Sequence, residues 1–231
     1  MLCEQFTRRK YGMKIATWNI ERLKHKSHLD TLKADCDRVG ADILVLTETD
    51  QRLRPDFKYC YETPLMSATQ PDFYAPTENR VSIYTNYPCV RQHKTYDANT
   101  SLCIELETER GNLLVYGTII GIYGNRHSTF MEDLRRQADD VSRLSRLGDG
   151  FCICGDFNCS FADNYYFTKL GRRIILETCT QNGIRLLSEN MPEYIDHIAV
   201  STEFVGNSII HVEEWNLDKS LSDHKGIAVT L

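Results

Sequence analysis

No stretch of the 231-residue chain approaches the roughly 18 uninterrupted apolar residues of a membrane span, so no spanning helix is expected. Cys-x-x-Cys pairs are also missing. The nine cysteines are odd in number and spread over a chain too long to need disulfide staples, which argues against a secreted cysteine framework and a zinc ribbon. A reducing cytoplasm fits that usage best. Basic excess is lacking: 27 Lys and Arg stand against 32 Asp and Glu, a net charge of -5, which argues against a protein that grips nucleic acid by a broad basic surface and leaves local patches. With 13 Gly and 6 Pro, no repeat and no linker, collagen-like and disordered classes are excluded as well. Residues 1–12 carry Arg8, Arg9 and Lys10 without a following apolar block, so neither a signal peptide nor an anchor is expected. They read as a flexible N-terminal extension to a single domain over residues 13–231, monomeric, with 42% hydrophobic residues available for a core.

The apolar pattern predicts a strand at Met13 to Thr17, a helix from Leu29 stopped by Gly40, and a buried strand at Ala41 to Leu46. Two turn-rich segments follow, Arg52 to Pro64 and Ser67 to Asn79. Strands are then predicted at Val81 to Thr85, Ser101 to Thr108 and Leu113 to Ile122, with a hairpin turn at Glu109 to Asn112. Ser128 is the expected cap of a helix whose apolar face is Phe130, Leu134, Ala138, Val141 and Leu144. Beyond the strand Phe151 to Cys154, a second helix is expected between Asp163 and Asn182, then short strands at Arg185 to Leu187, Tyr194 to Val200, Ile209 to Val212 and Gly226 to Leu231. Many strands with helices interspersed imply an α/β fold with two central, mostly antiparallel, mixed sheets and helices on their outer faces.

Chemistry concentrates at strand ends. Apolar runs stop at Asn19-Ile20-Glu21, Thr47-Glu48, Asp156-Phe157-Asn158, Asp196-His197 and Ser222-Asp223-His224. Acids at such places are costly unless something positive pairs with them. Asn19 with Glu21, and Asp156 with Asn158, are two residues apart, so on an extended chain each pair points to one side. Oxygen donors without cysteine or a histidine cluster suit a hard cation, Mg2+ or Mn2+. Taken singly, each tetrapeptide reads equally as a turn cap.

Taken together and in this order, the segments resemble the endonuclease/exonuclease/phosphatase superfamily of metal-dependent phosphoesterases, over Met13 to Leu231. The resemblance implies the four-layer sandwich of the DNase I-like fold and a role for each residue. Asn19 supports the site, and Glu48, helped by Glu21 and Asp223, holds the metal. Asp156 positions and deprotonates the attacking water, Asn158 binds the phosphate, and Asp196 orients His224, which donates to a phosphate oxygen. A hydrogen bond from His224 to Asp196 would fix the imidazole tautomer and favour its charged form.

One position departs from the family. Where many members carry a His or Tyr at the end of the middle strand, this chain has Ile119; Tyr123, with Arg126 and His127 nearby, reads first as a rim aromatic packing under a loop and second as the replacement. Cys152, Cys154 and Cys159 read as small core residues. His25 and His28 read as solvated loop residues. Tyr165, Tyr166 and Phe167 read first as anchors of the following helix and second as a stacking surface. The leading expectation is a phosphodiesterase acting on nucleic acid. The alternatives are a phosphatase or phosphodiesterase of nucleotide, inositol or lipid-headgroup phosphates, and a binding module of the same fold that has lost turnover.

Overall fold

The computed structural model describes residues 12–24 and 28–231; His25 and the expected extension up to residue 11 lie outside the described residues. The chain opens with β1 (Lys14–Asn19), α1 (Leu29–Val39) and β2 (Ile43–Asp50), a parallel pair joined by a crossover helix. Next come β3 (Tyr59–Glu62), β4 (Glu78–Thr85), β5 (Cys89–His93), β6 (Ser101–Thr108) and β7 (Gly111–Ile119). A second crossover through α2 (Phe130–Leu144) leads to β8 (Gly150–Asp156), parallel to β7. The remainder is α3 (Lys169–Gln181), β9 (Ile184–Leu186), β10 (Asp196–Ser201), α4 (Thr202–Val205), β11 (His211–Trp215) and β12 (Gly226–Thr230). Two six-stranded sheets result, ordered β11-β12-β1-β2-β4-β3 and β5-β6-β7-β8-β10-β9.

Three apolar layers hold four structural ones together. Ile15, Val45, Ile83, Val115, Cys154 and Val229 fill the space between the sheets. Leu32, Cys36 and Val39 of α1 pack with Trp18, Leu44 and Tyr84 on the outer face of the first sheet. Leu134 and Val141 of α2 and Ile175 and Cys179 of α3 cover Tyr116, Phe151 and Ile153 on the second. This is the four-layer α/β sandwich, built by strict alternation along the central strands.

The elements with strong periodicity lie where the pattern puts them, and the differences are confined to edges and ends. The strands β3 and β5 fall at the two sheet edges, where few side chains are buried and no period-two signal exists to read. Helix α2 is preceded by Thr129, not Ser128, without a side-chain cap. Helix α3 starts late, at a Thr168 cap whose Oγ1 accepts the Gly171 N–H at 3.1 Å, which leaves residues 161–167 as a loop.

Glycine is required where β7 and β8 bring the site together. Gly155 has φ of 141°, and a Cβ there would sit 2.0 Å from the Thr118 carbonyl oxygen on the paired strand. Gly155→Ala therefore has to part the two strands beside Asp156. We expect it to lower the unfolding free energy by at least about 2 kcal/mol, read from the urea midpoint at unchanged m-value.

Candidate active site

Alternation carries polar side chains onto the inter-sheet face at one end of the core. On β1 the series Ile15, Thr17, Asn19 ends in an amide. On β8 Cys152 and Cys154 lead to Asp156, and on β10 Val200 and Ile198 lead back to Asp196. Asp156 and Asp196 are direct partners in the β8–β10 register, 3% and 1% exposed. The Asn19 side chain joins the sheets: its Nδ2 donates to Asp156 Oδ2 at 3.2 Å and to Glu48 Oε1 at 3.3 Å, while its Oδ1 accepts the Glu21 N–H at 2.9 Å. Glu48 reaches this point from the end of β2 with φ of 46°, a left-handed conformation that a non-glycine residue adopts at a cost. Asn158, with φ of 48°, donates its N–H to Asp156 Oδ1 at 2.8 Å and its amide to the carbonyls of Ile120 and Gly121 at 3.1 and 3.2 Å.

The loop before β12 delivers the imidazole. Ser222 Oγ donates to the Asn19 carbonyl at 2.6 Å and accepts the His224 N–H at 3.1 Å. The His224 carbonyl accepts from Trp18 Nε1 at 3.0 Å and from Asn216 Nδ2 at 2.7 Å. So held, His224 Nδ1 lies 2.5 Å from Asp196 Oδ2, and Nε2 faces Asp223 Oδ1 at 3.5 Å. Glu21 fixes the same loop by accepting the Asp223 N–H at 2.8 Å on one oxygen, and takes the Lys24 ammonium at 2.7 Å on the other.

The electrostatics follow from burial and from two acids in one register. Burial pushes Asp156 up, the Asp196 charge adds to it, and its pKa rises to about 7. Burial pulls the His224 imidazole down, but the charge and hydrogen bond of Asp196, with Asp156 and Asp223 behind it, raise it to about 10. His224 is therefore a cation at neutral pH, donating through Nδ1 to Asp196. Glu21 is disfavoured as an anion by burial, yet the bonds from Lys24 and the Asp223 N–H hold its carboxyl below the ordinary value.

A hard divalent cation fits this donor set. Asp156, Asp196 and His224 offer ligand atoms within 4.8 Å of one another, and a cation that took the imidazole there would have to displace the proton that Asp196 stabilises on it. The carboxylate left for a cation is Glu48, which has no ion pair among the described residues and stands beside Asn19 and Asp156. Glu21 and Asp223 flank the array, and Asp196 Oδ1 is buried without a partner among the described residues. All donors are oxygens.

Asn19, Glu21, Glu48, Asp156, Asn158, Asp196, Asp223 and His224 thus form one connected network. Tyr123 is elsewhere: it is 62% exposed, stacks on His127 at 4.8 Å, and lines a separate depression with Tyr96, Glu132 and Arg136. Ile119 is 2% exposed and packs between the sheets, in register with Asp156. A cavity of about 250 Å³ opens beside His224, lined among others by Tyr165, Tyr166, Tyr194, Lys219 and Lys225. Phe167 stacks on Arg172 instead, 3.7 Å away, and packs against the helix-side core. The sequence reading singled out Ser222 only as part of its motif, and Lys219, Lys225 and Asn216 not at all. Asn216, φ 53°, had a readable signal, an asparagine at a strand end; the lysines had none.

The sequence model of the Endonuclease/Exonuclease/phosphatase family matches residues 16–224. No curated protein matches the chain in sequence. Among solved structures, the 3' phosphatase NExo from Neisseria bound to product DNA hairpin is similar at 18% identity and TM-score 0.69, over 95% of this chain and 99% of that one. The AP endonuclease LMAP from Leishmania major is similar at 16% identity and TM-score 0.72, over 95% and 87%. An AP endonuclease from Archaeoglobus fulgidus gives 13% identity and TM-score 0.69, over 95% and 99%.

The His224 environment makes a direct prediction for the metal-free protein. A raised imidazole pKa contributes stability that is fully present below about 6.5, the unfolded value, and is lost as pH rises toward 10. Asp196→Asn removes the main cause, so the imidazole is expected to titrate below about 8 by carbon-detected NMR, and the alkaline loss of stability should flatten. An imidazole in Asp196→Asn that still titrates near 10 would mean that other charges hold it.

Proposed function

The chain belongs to the endonuclease/exonuclease/phosphatase family, and we propose that it is a Mg2+- or Mn2+-dependent phosphoric ester hydrolase that cleaves phosphodiester bonds in nucleic acid. The observation that carries this reading is the buried pair formed by Asp156 and the Asp196–His224 couple, a base and a cationic donor side by side at one end of the inter-sheet core. A cation on Glu48, with Glu21 and Asp223 beside it, supplies charge neutralisation for the non-bridging phosphate oxygens.

The remaining steps belong to the side chains. Asp156, raised to about 7, takes a proton from the attacking water near neutral pH, while Asn19 and the Asn158 N–H hold its carboxylate in place. His224 donates Nε2–H to a phosphate oxygen, and Asp196 keeps the ring charged and oriented as negative charge builds on the phosphoryl group. Nucleic acid is favoured over a small phosphate by the neighbouring cavity, where Tyr165 is 49% exposed and Lys219 lies 3.1 Å from its hydroxyl, a ring and a cation suited to a base and its phosphate. The same proposal draws on relatives named as an AP endonuclease and as a 3' phosphatase bound to a DNA hairpin.

Hydrolysis of a chromogenic phosphodiester and of labelled DNA and RNA, with Mg2+ and Mn2+ in parallel, tests this reading. Activity should vanish in excess EDTA and return with either metal. Glu48→Gln and Asp156→Asn should each lose more than about 100-fold, beyond the loss typical of residues that only support a metal ligand. Undiminished turnover in EDTA would refute the metal requirement, and full activity of Asp156→Asn would remove the proposed base.

A further inference from the structure

Arg80, on β4, is 4% exposed, and its Nε and Nη1 have no hydrogen-bond partner among the described residues. Its Nη2 donates to the Tyr74 hydroxyl at 2.9 Å, and the guanidinium lies 5.5 Å from the centre of the same ring. No carboxylate pairs with it among the described residues. The neighbouring cations differ: Arg22 is 2.8 Å from Glu78, and Lys24 is 2.7 Å from Glu21. A buried guanidinium with free donors and no anion is costly to retain.

Its place on β4 is beside the strand that carries Glu48. The β2–β4 register pairs Thr47 with Val81 and Thr49 with Asn79, which sets Arg80 across from Glu48. Across the sheets, a Cβ on Gly117 would lie 2.9 Å from Val81, the residue after Arg80, so this part of β4 packs against β7. There Ile119 offers only hydrocarbon, while Asp156 stands in register beside it. The Arg80 charge also reaches Asp133, whose carboxylate accepts the Gly121 N–H at 2.5 Å, in the turn whose carbonyl bonds Asn158. Arg80 is thus bracketed by Glu48 on one sheet and the Asn158 turn on the other.

We propose that Arg80 is a phosphate ligand of this site, donating its free guanidinium hydrogens to an oxygen of the substrate phosphoryl group on the side opposite His224. This rests on the phosphoesterase reading above. Two cations then grip the phosphate from opposite sides, His224 from the β10–β12 side and Arg80 from the β4–β7 side. The arginine supplies there the positive charge that Ile119 cannot.

The test uses inorganic phosphate as the probe, titrated calorimetrically into the Mn2+-loaded full chain. Arg80→Met should weaken phosphate binding about 10- to 100-fold, as expected for loss of charge-assisted hydrogen bonds, and Arg80→Lys should recover part of the loss. Should Arg80→Met not fold, the Arg80 Nε–H resonance of the wild type, assigned by its disappearance in Arg80→Lys and followed in the Mg2+-loaded form, is expected to shift and become protected as phosphate is added. Unchanged phosphate affinity in a folded Arg80→Met, or an Nε–H signal indifferent to phosphate, overturns the assignment while leaving a wild type that hydrolyses phosphodiesters intact. A wild type that neither binds phosphate nor hydrolyses a phosphodiester with any divalent metal overturns both readings.

Discussion

Two carboxylates facing each other in register, where almost no water reaches, are the constraint around which this site is arranged. Like charges directly opposite on an antiparallel pair destabilise a sheet, and burial compounds the effect. Asp156 and Asp196 are tolerated because His224 is driven against one of them as a cation and the amides of Asn19 and Asn158 bond the other. The consequence divides the labour. Asp196 is committed to the imidazole, while Asp156, left with an elevated pKa, is poised to exchange a proton. One electrostatic conflict thereby yields both an acid and a base.

Holding that arrangement requires backbone that local preference resists. Glu48, Asn158 and Asn216 all adopt positive φ, and so do Glu21, Arg22 and Leu23 in succession. Such conformations cost of order 1–3 kcal/mol each and persist only where surrounding structure over-determines them. Here the three layers of apolar packing do so. Trp18 belongs to the α1-side core and at the same time donates to the His224 carbonyl, so the core and the loop that carries His224 share one side chain. Ser222 and Asn216 complete the tie between the last loop and the end of β1.

The sequence is legible where burial is periodic. Alternation in Ile15, Thr17, Asn19 and in Cys152, Cys154, Asp156 is a local property, so it exposes both the strand and the polar residue that ends it. The order of these endings along the chain was enough to suggest the family and the sandwich. Edge strands β3 and β5 were illegible because they bury little on either face. Arg80 was illegible for a different reason. It falls between the turn-rich segment that ends at Asn79 and the strand expected from Val81, so no periodic pattern assigns it a side, whereas in the structure it lies within β4, which packs against β7. Lys219 and Lys225 owe their place to a loop fold that no pattern announces. Tyr123 shows the converse: proximity in sequence to the middle strand does not bring it into the cavity beside His224, because the turn after Ile119 carries it outward.

Asp196 and His224 are proposed to act as one device. Measuring kcat and kcat/KM on a phosphodiester for Asp196→Asn, His224→Gln and the double variant tests it most directly. If the carboxylate works only through the imidazole, the double variant is little slower than the poorer single one. Losses that multiply in full would mean that the two residues act independently, and would contradict the account.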